Sequence, residues 1–193
     1  LQRWWQGLRA RREQAAVARR AIPDDLWKRT LVRYPFLRRR DDADTAELRR
    51  LASLFLDRKE FSAAGGLKLT DAMVVAIAAQ AVLPVLRLGL SRYDGFVGIV
   101  VHAGQVVARR EVADDDGIVH AYDEVLSGEA MEGGPVMLSW QDVRLAGRAA
   151  AIGYNVVIHE FAHVLDMADG LPDGVPLLPA EIPATEWRRL LRQ

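Results

Sequence analysis

The sequence predicts an α+β protein: helices first, a few strands in the middle, and one histidine-bearing helix near the end. Three observations carry that prediction. Residues 44–56 and 71–83 hold apolar side chains at helical spacing. Residues 96–108 contain two β-branched runs, and residues 156–166 form an apolar stretch of helical period that carries two histidines and a glutamate. With 193 residues, 50% of them hydrophobic and 27% charged, the chain suits one compact domain with a sizeable core. Within it, residues 1–70 read as an N-terminal helical region and 71–193 as the part that carries chemistry.

The order of elements follows from local signals. Residues 1–20 read as a helix with an apolar patch at Trp4, Trp5 and Leu8. Pro23-Asp24-Asp25 opens a second helix, with acids at its positive end, that runs to about Tyr34 before Pro35. A third starts near Asp44-Thr45 and uses Leu48, Leu51, Leu54, Phe55 and Leu56. Lys59 to Leu69, with Gly65-Gly66, reads as a turn with a short extended piece. Thr70-Asp71 caps a helix that is apolar nearly all round, and Pro84 ends or kinks it. Phe96–Val101 and Gln105–Ala108, joined by Ala103-Gly104, predict a pair of strands. Asp114–Gly117 predicts a turn, Glu129–Pro135 a loop and Val136–Trp140 a short strand. A long helix is expected from Gln141-Asp142 through to Asp166, stopped by Asp169-Gly170, and a last one begins at Thr185-Glu186.

Composition removes several classes of function. There is no cysteine, so disulfides, thiolate metal sites and cysteine nucleophiles are excluded, and a reducing cytoplasm suits the chain. The longest apolar region, Ala72–Leu90, is interrupted by Gln80, Pro84 and Arg87, so no membrane partner is expected. Net charge is zero, yet residues 1–50 carry 14 Arg/Lys against 7 Asp/Glu. The arginines sit among acids at helical spacing, which predicts a solvated or internally paired helix face rather than a nucleic-acid surface.

The chemistry concentrates in Val156-Val157-Ile158-His159-Glu160-Phe161-Ala162-His163-Val164-Leu165-Asp166. Positions i and i+4 share one helix face, so His159 and His163 can present two imidazoles to one metal ion, and zinc is the usual metal for this spacing. Glu160 is rotated away from them, beside the metal rather than on it, where it suits a general base acting on water. Asp166 shares the histidine face and suits an acceptor for an imidazole's second nitrogen. The competing reading, a satisfied pair of core histidines, must explain three polar groups on an otherwise apolar helix. This predicts a zincin-like fold: N-terminal helices and a small mixed sheet packed on the HExxH helix.

Three blocks in order extend the match. Asn155–Asp166, Gly128-Glu129-Ala130-Met131-Glu132-Gly133-Gly134-Pro135-Val136-Met137-Leu138-Ser139-Trp140 and Ile77–Leu86 resemble the Mlc titration factor A family of gluzincin-like zinc metallopeptidases. The resemblance runs from about Arg20 to Leu178. It implies a cytoplasmic, aminopeptidase-type zinc hydrolase with His159 and His163 as Zn2+ ligands, Glu160 as general base and a peptide as substrate. It also implies a second role, binding a transcription repressor of the Mlc type, with the metal site structural or vestigial. In the resembled family, an edge strand above the metal helix pairs with extended substrate, and Val136–Trp140 is expected to be that edge, with 97–107 as its rival. The family's third ligand is a glutamate several tens of residues past the second histidine. Only 30 residues follow His163, and Glu181 and Glu186 fit that role poorly, so the expectation is a C-terminally truncated member whose third ligand lies beyond residue 193.

Overall fold

A computed structural model of the chain describes residues 2–113, 119–149 and 153–192, with side chains except at positions 2, 3, 5, 6, 109–113 and 119–122. Four helices precede most of the strands: α1 (Gln2–Arg19), α2 (Asp24–Arg33), α3 (Asp42–Arg58) and α4 (Asp71–Ala81). Their starts are those the sequence encodes. Pro23 sets the entry to α2, whose first turn holds Asp24 and Asp25. Asp41 caps α3 by accepting from the Asp44 amide at 2.7 Å, and Thr70 caps α4 by accepting from the Met73 amide at 3.4 Å. Helix α4 is buried on nearly every side, including Gln80, whose amide nitrogen donates to the Ala76 carbonyl at 3.0 Å. Several of the N-terminal arginines pair with nearby acids. Arg19 pairs with Asp57 at 3.1 Å, Arg49 with Asp24 at 2.6 Å and Arg50 with Glu47 at 2.7 Å.

The main sheet contains β1 (Glu60–Ala63), β2 (Gly98–His102), β5 (Gly128–Ala130) and β6 (Val136–Ser139), in the order β1-β2-β6-β5. β1 and β6 flank β2 in parallel, and β5 runs antiparallel to β6. β3 (Val106–Ala113) and β4 (Val119–Leu126) form a separate antiparallel ribbon. The expected turn at 114–117 lies outside the described residues.

Two expectations are corrected here. The runs at 96–101 and 105–108 do not pair with one another: both edges of β2 are taken, by β1 and β6, so the chain turns away after His102 and β3 finds β4 instead. Likewise Val136–Ser139 is an interior strand, and neither it nor 97–107 is the sheet edge beside the histidine helix. That edge is β5, read from the sequence as loop.

The long helix is also two helices, α5 (Trp140–Ala149) and α6 (Val156–Asp166). Gly153 takes a left-handed φ of 77°, and Asn155 is extended and caps α6 by accepting from the Ile158 amide at 3.0 Å. A helix cannot run through a left-handed residue. The last helix, α7, spans Ala184–Leu190. Among the described residues no helix is long and apolar enough to cross a membrane.

One core cluster gathers α2, α3, α4, the main sheet, α5 and α6. Its centre is aromatic: the Phe161 ring lies 5.1 Å from Tyr93, 5.6 Å from Phe55 and 5.8 Å from Phe96. Against this cluster Lys59 is buried, donating from Nζ to the Tyr93 and Phe96 carbonyls and lying 3.8 Å from the Phe96 ring centre. Burial pulls its amine from an ordinary 10.5 down to about 8, against the nearby Asp94 charge. Between those two values the unfolded chain binds more protons on this amine than the folded one, so its contribution makes folding more favourable as pH rises. Wild type is therefore expected to gain urea resistance relative to Lys59→Met between pH 8 and 10. A pH-independent difference between the two denaturation midpoints would show that the amine is not desolvated.

Candidate metal centre

Helix α6 presents its site because both ends of its apolar face are fixed. Val156, Val157 and Phe161 are buried in the core, which leaves His159 and His163 on the outer side. At the N-terminus Asn155 does two jobs: Oδ1 caps the helix, and Nδ2 donates to Gln80 Oε1 on α4 at 2.9 Å. Gln80 is fully buried, so this bond ties the start of α6 to the most enclosed helix of the protein.

His159 Nε2 and His163 Nε2 approach to 3.2 Å, with ring planes nearly perpendicular at 87°. Two nitrogens bound tetrahedrally to one zinc at the usual bond length stand about 3.3 Å apart. On donor type and spacing the pair fits one zinc ion. Partial burial lowers the His159 pKa, and the His163 charge adds to this, so neutral imidazole, the ligating form, is favoured. Among the described residues no group of three or more His, Asp or Glu side chains converges as a metal site. Asp166 does not bond to either imidazole; its Oδ1 is buried without a partner.

Glu160 points the other way, under β5, and is only 5% exposed. Burial pushes its carboxyl up to about 7; the Ala130 backbone amide opposes the shift and the Glu129 charge adds to it. The Ser139 amide donates to the Ser127 carbonyl at 2.7 Å, so the alternating antiparallel pattern turns the backbone groups of Gly128 and Ala130 away from β6, toward the open edge. Glu160 thus meets the outer edge of β5, where the Ala130 amide turns toward it. Gly128 is what lets it approach: a Cβ there would lie 2.6 Å from Glu160 Cγ and Oε1.

Residues 8–193 match the family described as Glucose-regulated metallo-peptidase M90. The chain belongs to that family. Relatives named Mlc titration factor A come from Pectobacterium atrosepticum, 38% identical over 149 residues, and Klebsiella pneumoniae strain 342, 38% identical over 154 residues. A third, from Salmonella arizonae, is 36% identical over 157 residues. These alignments cover 77%, 79% and 81% of this chain but 56%, 57% and 61% of the relatives. The chain thus spans little more than half the length of the curated relatives it matches. Membership in a metallopeptidase family agrees with a metal cofactor.

In this M90 chain, sequence reasoning put His159, Glu160 and His163 on one long helix from Gln141 to Asp166; the structure carries them on the shorter α6, with the two imidazoles together and Glu160 buried under β5. It missed the Asn155–Gln80 bond and the β5 edge. Asn before an apolar helical run was a readable cap signal. Gly-Glu-Ala at β5 was not readable, being short and without β-branched residues. Gly128→Ala is expected to displace the Glu160 side chain and to destabilise the fold by about 1–3 kcal/mol, the usual cost of overpacking. A thermal melt unchanged from wild type would show that the strand has room to move.

Proposed function

We propose that this chain serves a regulatory protein that binds and sequesters a transcription repressor of the Mlc type. The relatives' name, Mlc titration factor A, at 36–38% identity over about four-fifths of the chain, carries that reading. The chain, tagged and immobilised, should retain purified Mlc repressor, and retention that survives chelation would assign the binding to the protein surface rather than to a metal. A repressor that flows through at micromolar concentration sinks the reading.

The site favours a second, compatible reading: a zinc-dependent peptidase of aminopeptidase type in a zincin-like, cytoplasmic protein. The observation behind it is the 3.2 Å approach of the two imidazoles, with Glu160 on the same helix and buried under β5. His159 and His163 would hold the Zn2+, with a third ligand from elsewhere, and the bound ion would supply Lewis-acid polarisation of the scissile carbonyl. The open edge of β5 would pair an extended peptide through backbone hydrogen bonds. Glu160, brought near neutrality by its surroundings, would accept the proton of the attacking water and return it to the leaving amine. Residues 71–193 would form this catalytic core and 1–70 its helical support. Hydrolysis of aminoacyl-p-nitroanilides should disappear with a chelator and return with zinc; cleavage indifferent to chelation would remove this reading while leaving the first intact.

A further inference from the structure

We propose that the groove between α2 and α5 docks an acidic amphipathic helix of a partner protein. The groove has a volume of about 720 Å³. One wall is α2, where Leu26, Arg29, Thr30 and Arg33 share a face at i, i+3, i+4, i+7 and Lys28 and Val32 extend the lining around the helix. The other is a single face of α5: Trp140, Arg144, Gly147 and Arg148. Ala72 and Ala76, one turn apart on α4, form a floor of small apolar side chains. At the rim Val32 is 69% exposed, a large apolar side chain left to water.

The shape and the charge identify the occupant. From first to last residue the walls run about 10 and 12 Å at the helical rise, which matches two turns of a third helix laid between them. Gly147 sets the geometry at one end. A Cβ there would lie 2.2 Å from the Arg33 carbonyl oxygen, so only glycine lets the two walls meet so closely. The apolar floor calls for an apolar stripe on the ligand, as in helix-in-groove recognition. The rim calls for negative charge: Lys28, Arg29, Arg33, Arg144 and Arg148 all line the groove. Among the described residues only Arg29 of these has an acidic partner, Asp25 at 2.7 Å, and Arg33 donates to the Arg144 carbonyl at 3.2 Å. The side chains of Lys28, Arg144 and Arg148 have no partner among the described residues. A ring of cations around an apolar slot selects carboxylates flanking leucines, because like charges at this rim would be repelled during encounter. None of the lining residues comes from α6 or β5, so the surface is separate from the histidine site, and it goes beyond both readings above.

The probe is a fluorescein-labelled synthetic helix of roughly 14 residues, leucine at i, i+3, i+4, i+7 and glutamate elsewhere, titrated by anisotropy in about 50 mM salt. Saturable binding to the chain is expected, weakened about tenfold or more by Lys28→Glu with Arg148→Glu, both exposed positions. Val32→Asp should weaken it as well, and a lysine-for-glutamate version of the peptide should prefer the charge-reversed variant. Thermal melts of the variants matching wild type keep the comparison interpretable. Equal binding of a leucine-scrambled peptide would overturn the proposal in favour of charge alone. Undiminished affinity in the reversed variant would overturn it outright. Competition by phosphatidylglycerol vesicles at equal effect would reassign the groove to a membrane surface, and self-association of the chain abolished by the same variants would reassign it to a second copy.

Discussion

Phe161→Ala should lower stability by about 3–5 kcal/mol, the range for emptying a buried aromatic position. At this chain length that corresponds to a fall in Tm of roughly 6–20 °C. The ring is fully buried and shares the aromatic cluster with Phe55, Tyr93 and Phe96, so neighbouring elements from α3, the approach to β2 and α6 all lose contacts at once. Those neighbours are large and mutually wedged, which limits how far they can collapse into the space. The loss reaches the site as well. Phe161 immediately follows Glu160 and fixes the rotation of α6, so metal affinity should fall together with stability. Differential scanning calorimetry against Val32→Ala, at an exposed position, gives the comparison; a fall in Tm no larger than that control's would contradict the packing described.

Glu160→Gln should behave in the opposite way, sparing structure and removing chemistry. The amide keeps the shape of the carboxylate and removes its ability to take a proton. General-base catalysis contributes about 10²–10⁴-fold, and kcat for peptide hydrolysis should drop by that order. Zinc content should be unchanged because neither imidazole is touched, and repressor binding should be unchanged because the side chain is buried under β5. Stability should not suffer, since a carboxyl whose ionisation is resisted by burial is replaced by a neutral group. Glu160→Gln retaining full peptidase turnover would falsify the base assignment. His159→Ala, read by metal content, separates loss of metal from loss of the base.

What could be read from the sequence was local. Helices α2, α3 and α4 were visible because proline, capping residues and apolar spacing all act within a few residues of one another. The histidine pair was visible because i and i+4 fix geometry within a single turn. The sheet was not. β2 pairs in parallel with β1, whose first residue Glu60 opposes Gly98, and with β6, where Val136 opposes Ile99. Nothing in the run Ile99-Val100-Val101 says which distant strands will take its edges. Nearness in sequence favoured 105–108 as partner, and packing of the core overruled it. The break between α5 and α6 was legible in part: Gly153-Tyr154-Asn155 holds a left-handed residue and a cap, but the apolar pattern runs past them and masks the stop.

The β3–β4 ribbon has a consequence for how this protein can vary. It leaves the sheet after β2 and returns at β5, and its two feet are clasped where Gln105 Nε2 donates to Ser127 Oγ at 3.0 Å. Because β3 and β4 pair with each other and not with the main sheet, strand register in that sheet does not depend on how far the ribbon extends. Paired residues added to or removed from both arms would lengthen or shorten it as a telescoping arm, with the histidine helix left undisturbed. A tag or reporter domain inserted in this ribbon is therefore expected to leave the main sheet intact.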